Sequence, residues 1–88
     1  MPWHIYILYS DALDRLYTGI SQDTERRLRE HNTSKRGAKS TRAGRPWRLV
    51  YRETVEAKGA ALRRELAIKA MSRARKEALV GLPIKKAQ

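Results

Sequence analysis

Tyrosine, arginine, histidine and glutamate are the residue types in this 88-residue sequence that handle water, protons and phosphate, Tyr6, Tyr17, Arg27, His31 and Glu65 among them. A phenol can hold a water molecule, or take its proton where nearby cations lower its pKa. A guanidinium meets a phosphate through paired N–H donors, and a single carboxylate is enough protein ligand for a hydrated Mg²⁺. The spacing suggests how the two phenols meet. Ile5-Tyr6-Ile7-Leu8-Tyr9 is β-branched and aromatic, Asp11 to Asp14 carries turn chemistry, and Leu16-Tyr17-Thr18 resumes a strand. With Ser10 opposite Arg15, paired residues have numbers summing to 25. Leu8 then faces Tyr17, and Tyr6 faces Gly19. Opposed residues share a face, so Tyr6 and Tyr17 are diagonal neighbours beside a glycine that leaves room for something to approach the backbone.

The remaining candidates need helices to bring them in. Asp23 can cap a helix from Thr24 to about Asn32, with Glu25 favoured in its first turn. Its one large apolar residue is Leu28, a stripe too narrow for a helix that mainly fills a core. Arg26 and Arg29 read as a solvated basic face, whereas Arg27 and His31, four apart, share the side of Leu28 and Thr24 that faces the sheet. Thr33 to Pro46 reads as a mobile loop with one helical turn near Ala38 to Arg42. Between Arg26 and Arg48 nine cations stand against one anion, Glu30, a composition suited to phosphates.

Trp47 to Val55 alternates as a third strand, with Trp47, Leu49 and Tyr51 on one face and Arg48, Val50 and Arg52 on the other. Gly59 precedes a helical run to Met71. Ser72 can cap a last helix from Arg73 to Val80, stopped by Gly81 and Pro83. On the helical wheel Glu65 lies between Ile68 and Leu62, inside the apolar arc, and it is the only acid between Ala57 and Lys76. A carboxylate so placed needs a partner. Periodicity leaves two open: Lys69, four residues on, or a metal ion.

Composition narrows the partners. The chain has no cysteine, which excludes disulfides, thiolate metal sites and a cysteine nucleophile. Met-Pro-Trp-His does not read as a secretory signal and no apolar stretch approaches a membrane span, so a cytoplasmic protein with no membrane partner is expected. Twenty Lys and Arg against nine Asp and Glu give a net charge of +11, which makes nucleic acid the leading partner, ahead of acidic membrane surfaces and ribosomal RNA. The length fits one domain, expected over residues 1–82, with residues 83–88 a flexible tail.

Ile5-Tyr6, followed after ten residues by Tyr17-Thr18-Gly19, resembles the paired signature of the GIY-YIG nuclease superfamily. The similarity continues in order through Arg27, His31 and Glu65, and Trp3, Tyr6 and Leu8 resemble the first strand of its small, single-domain bacterial branch. His4 stands where the signature has its first glycine and is expected on the face opposite Tyr6. The resemblance implies an α+β fold, a small three-stranded antiparallel sheet flanked by helices in the order β-β-α-β-α-α. It implies a divalent-metal-dependent DNA endonuclease, structure-selective and linked to repair or recombination, with Mg²⁺ or Mn²⁺ on Glu65. Tyr17 would contact the attacking water, Tyr6 would orient it or the phosphate, Arg27 would offset phosphate charge, and His31 would relay or accept the proton. Arg26, Lys35, Arg36, Lys39, Arg42, Arg45 and Lys69 are the candidate nucleic-acid contacts. The expected substrate is DNA, branched or single-stranded, with RNA left open and a partner protein as a source of specificity. Many relatives carry an asparagine about a dozen residues past the glutamate, where this chain has Glu77. A binding module of the same fold with weak or no turnover is therefore the alternative, and charge alone also admits an RNA- or ribosome-associated protein.

Overall fold

In a computed structural model describing residues 1–33 and 39–81, strand β1 (Trp3–Ser10) lies between β2 (Arg15–Ser21) and β3 (Trp47–Val55), both antiparallel to it. Helix α1 (Thr24–Thr33) follows β2, a 3₁₀ turn (Lys39–Gly44) precedes β3, and helices α2 (Lys58–Lys69) and α3 (Arg73–Val80) close the chain. The fold is therefore α+β, in the expected element order. A central strand is covered on both sides, which is why β1 carries apolar residues at every position from Ile5 to Tyr9. Ser10 pairs with Arg15, Leu8 with Tyr17 and Tyr6 with Gly19, the register read from the turn. Asp14 takes the left-handed conformation in that turn, at φ 51°, which a short polar side chain tolerates.

The pleat sorts the side chains into two layers. Ile5 and Ile7 point to one face and pack with Ala61 and Ile68 of α2, joined by Leu16, Ile20, Val50, Tyr51 and Leu79. Tyr6 and Leu8 point to the other and pack with Trp47, Tyr17 and Leu28 of α1. Burying Ile68 completely on Ile5 and Ile7 holds α2 in place, a contribution of about 1.5–3 kcal/mol for one such side chain.

Helix α1 is set by its ends. The Asp23 carboxylate accepts from the Arg26 backbone N–H at 3.0 Å, a side-chain cap on the free amides of the first turn. At the other end the Asn32 amide grips β3: its Nδ2 donates to the Trp47 carbonyl at 2.8 Å and its Oδ1 accepts from the Trp47 N–H at 2.6 Å. Asn32→Ala would remove both of these hydrogen bonds, so a loss of about 1–3 kcal/mol is expected in urea denaturation. The last helix is capped by Ser72, whose Oγ accepts from the Arg75 N–H at 3.2 Å, and it ends at Gly81 with φ 97°, where a residue without Cβ is unstrained.

Four local expectations are corrected. In β3 the pairing jumps from Ile7–Tyr51 to Leu8–Leu49, so Val50 is an extra residue. That bulge puts Tyr51 and Val50 together on the α2 side instead of grouping Tyr51 with Trp47 and Leu49. Helix α2 starts at Lys58, taking Gly59 inside it. His4 does not face away from Tyr6: residues two apart on a strand share a face, and its Nδ1 lies 2.8 Å from Thr54 Oγ1. The 3₁₀ turn spans Lys39–Gly44, against the expected Ala38 to Arg42, and residues 34–38 and 82–88, including the expected tail, lie outside the described residues.

Candidate active site

On the α1 face the two phenols lie as the register requires, their ring centroids 6.5 Å apart. Gly19 is what admits Tyr6. A Cβ on Gly19 would sit 2.5 Å from the Tyr6 hydroxyl, so the space beside the glycine is filled by the protein's own phenol. His31 rises from α1 between the rings, its edge toward Tyr17 at 4.8 Å between centroids, its Nε2 3.1 Å from the Tyr6 hydroxyl. Trp47 closes the far side of Tyr17 at 6.4 Å.

Burial separates these groups into two kinds. Tyr6 is 2% exposed and His31 is 0% exposed. Desolvation pushes the Tyr6 phenol well above its usual range, and the opposing effect of the nearby Arg27 does not overcome it. Desolvation likewise pulls His31 down to about 4, helped by the Arg27 charge. Near neutral pH the pair is thus a protonated phenol against a neutral imidazole, and Tyr6 is a poor base. Tyr17 is half-buried, and Arg27 keeps 30% of its side chain exposed. Those two are what a phosphate can reach.

The Arg27 Nη1 donates to Glu30 Oε1 at 2.9 Å, the main reason its pKa is raised, and its charge also acts on Tyr6 and Tyr17. Glu65 belongs to the helix layer on the other side of the sheet. Its charge nevertheless reaches the Tyr6 phenol and contributes to raising it. Its side chain is 16% exposed, and its carboxylate lies 3.4 Å from Lys69 Nζ. Among the described residues no three acids, histidines or cysteines gather as a metal cluster. A shielded carboxylate with one loose partner fits a cation that takes its other ligands from water and substrate, the habit of Mg²⁺.

His31 provides a pH test. Its folded pKa is below the ordinary 6.5, so its contribution to stability is complete above 6.5 and is lost as pH falls from there toward 4. Glu30, held low chiefly by the Arg27 hydrogen bond, also weakens in acid, so the comparison must isolate the imidazole. The melting temperature of the wild type is expected to fall more steeply between pH 7 and pH 5 than that of His31→Gln. Parallel curves would mean that His31 does not titrate as its burial requires.

The outlying cations divide. Arg26 is exposed and 3.5 Å from Glu30, and Arg42 is exposed. Arg45 turns inward, its Nε donating to the His31 carbonyl at 2.5 Å. Lys69 is on Glu65. Lys35, Arg36 and the side chain of Lys39 lie outside the described residues. Sequence reasoning missed two groups. Glu30 clasps Arg27, and its i+3 helical spacing was an available signal. Asn32 holds α1 on β3, and nothing in the local sequence marks that long-range grip.

Residues 2–78 match the GIY-YIG catalytic domain. The chain belongs to the GIY-YIG family. That family is a nuclease superfamily, usually of endonucleases acting on nucleic acid with divalent metals. The GIY-YIG domain here is 49% identical over 78 residues to a UPF0213 protein of Desulfotalea psychrophila, covering 89% of this chain and 70% of that one. It is 47% identical over 77 residues to a UPF0213 protein of Natronomonas pharaonis, covering 88% of each, so its relatives include archaeal as well as bacterial proteins. The solution NMR structure of a UPF0213 protein from Bacillus halodurans superposes with a TM-score of 0.57 at 40% identity, covering 91% of this GIY-YIG chain and 83% of that one. No helix among its described residues is long and apolar enough to cross a membrane.

Proposed function

We propose that this chain is a divalent-metal-dependent endonuclease that hydrolyses DNA phosphodiester bonds in the cytoplasm, favouring branched or single-stranded structures that arise in repair or recombination. The observation that carries this reading is the division of the site: Tyr17 and Arg27 partly open, with Tyr6 and His31 buried behind them. Arg27 offsets the charge that grows on the phosphate oxygens as water adds to phosphorus. Tyr17 holds that water. Tyr6 and His31, hydrogen-bonded to each other and buried, hold the Tyr17 ring from behind, and the proton of the water passes to solvent by way of the Tyr17 hydroxyl as the P–O3′ bond breaks. Glu65 would hold the cation, which when bound supplies charge stabilisation at the leaving oxygen. Arg26, Arg42 and Lys69 guide the flanking backbone.

End-labelled branched, single-stranded and duplex DNAs, incubated with Mg²⁺ or Mn²⁺ and with a chelator, test this reading. Internal cuts that need the cation and favour the branched or single-stranded forms are the expected result. Cleavage unaffected by chelation would overturn metal dependence. The second reading, a binding module without turnover, has a specific observation in its favour. About a dozen residues past Glu65, where the family resemblance implies an asparagine, this chain has Glu77, which accepts from Arg73 Nε at 3.0 Å. It predicts salt-sensitive DNA binding and no cutting with any cation.

A further inference from the structure

A cavity of about 330 Å³ opens between the end of β2 and the first turns of α1, lined by Trp3, Ile20, Gln22, Arg26, Arg27 and Glu30 among others. It shares Arg27 with the site above, so a ligand seated in it lies next to the phosphate that Arg27 would hold. Its volume falls at the lower end of the range for small-molecule sites. The lining is mixed in a telling way. Trp3 and Ile20 supply flat apolar surface, and the Trp3 ring is steadied from α2 by the Lys58 ammonium 5.2 Å from its centroid. Gln22 is exposed, with an amide that has no hydrogen-bond partner among the described residues. An amide both donates and accepts, so it suits the edge of any base. Cations at Arg26 and Arg27 then match a backbone running along the rim.

We propose that this cavity receives an unpaired nucleobase beside the phosphate held by Arg27, so that the substrate must be single-stranded or frayed at the point of cleavage. The proposal rests on the nuclease reading for the role of Arg27. A base stacked in duplex has both faces and its pairing edge occupied and cannot enter. A splayed base can, with its face on the indole and its edge on Gln22.

The test is binding in chelator by fluorescence anisotropy, using one labelled duplex with a short overhang of thymines or of abasic residues. The thymine overhang is expected to bind about five- to tenfold more tightly, the lower end of one stacked base. Trp3→Leu is expected to erase that preference. Because Trp3 also packs on the core, Gln22→Ala, at an exposed position, is the second variant and should reduce it. Equal affinity for the two overhangs in the wild type, or a preference that survives both substitutions, overturns the proposal. No binding of either overhang overturns it together with the nuclease reading. Adding Mg²⁺ separates the two ideas: cutting without base preference sinks the pocket alone, and base preference without cutting sinks the nuclease reading alone.

Discussion

Glu65→Gln is expected to lower the single-turnover rate of Mg²⁺-dependent DNA cleavage by about a hundred- to a thousandfold while leaving the protein folded. The size follows from the proposed role of Glu65 in holding the cation, since groups aimed at transition-state charge are worth about that much. Stability should hardly change. The pair that Glu65 makes with Lys69 is half open to solvent at the lysine, and such pairs contribute about 0–1 kcal/mol. Glutamine keeps the shape, fills the same space and lacks the charge. A variant that cuts at the wild-type rate would make Glu65 nothing more than the lysine's partner.

Arg27→Lys is expected to cost about a hundredfold in the same rate. Charge is kept, so the loss reports geometry. The guanidinium presents a planar fork that can stay on Glu30 and still offer N–H donors to a phosphate, and an ammonium is a point charge that cannot do both. In the proposed mechanism the fork matters most as charge grows on the phosphate, so DNA binding is expected to weaken less than turnover. Melting curves should shift little, because the Arg27–Glu30 contact is a partly exposed i,i+3 pair. A lysine variant of full activity would show that Arg27 is only a helix-surface cation.

The hairpin was legible because local chemistry decides it. Once Ser10 and Arg15 flank the turn, every later pair in β1 and β2 follows, including Tyr6 opposite Gly19. The caps at Asp23 and Ser72 and the stop at Gly81 were legible for the same reason. The bulge at Val50 was not. No glycine or proline marks it, and it is fixed by how β3 must pack against both helix layers. The face of His4 was misjudged, though strand alternation alone assigns it. Within the site, residue types and order pointed to Tyr6, Tyr17, Arg27, His31 and Glu65, but their division into buried and reachable groups was invisible. That depends on Trp47 and on the Asn32 grip, contacts made across fifteen residues. The raised phenol of Tyr6 and the lowered imidazole of His31 both follow from that burial.

In the proposed mechanism residues from two layers of the fold act on one phosphate, and a double-mutant cycle measures that coupling. Single-turnover cleavage of one labelled branched DNA is followed for the wild type, Arg27→Lys, Glu65→Gln and the pair. Groups that work as a unit are not additive, so the double variant is expected to be about as slow as the slower single variant. Losses that multiply, or four proteins that leave the DNA equally intact, would contradict it.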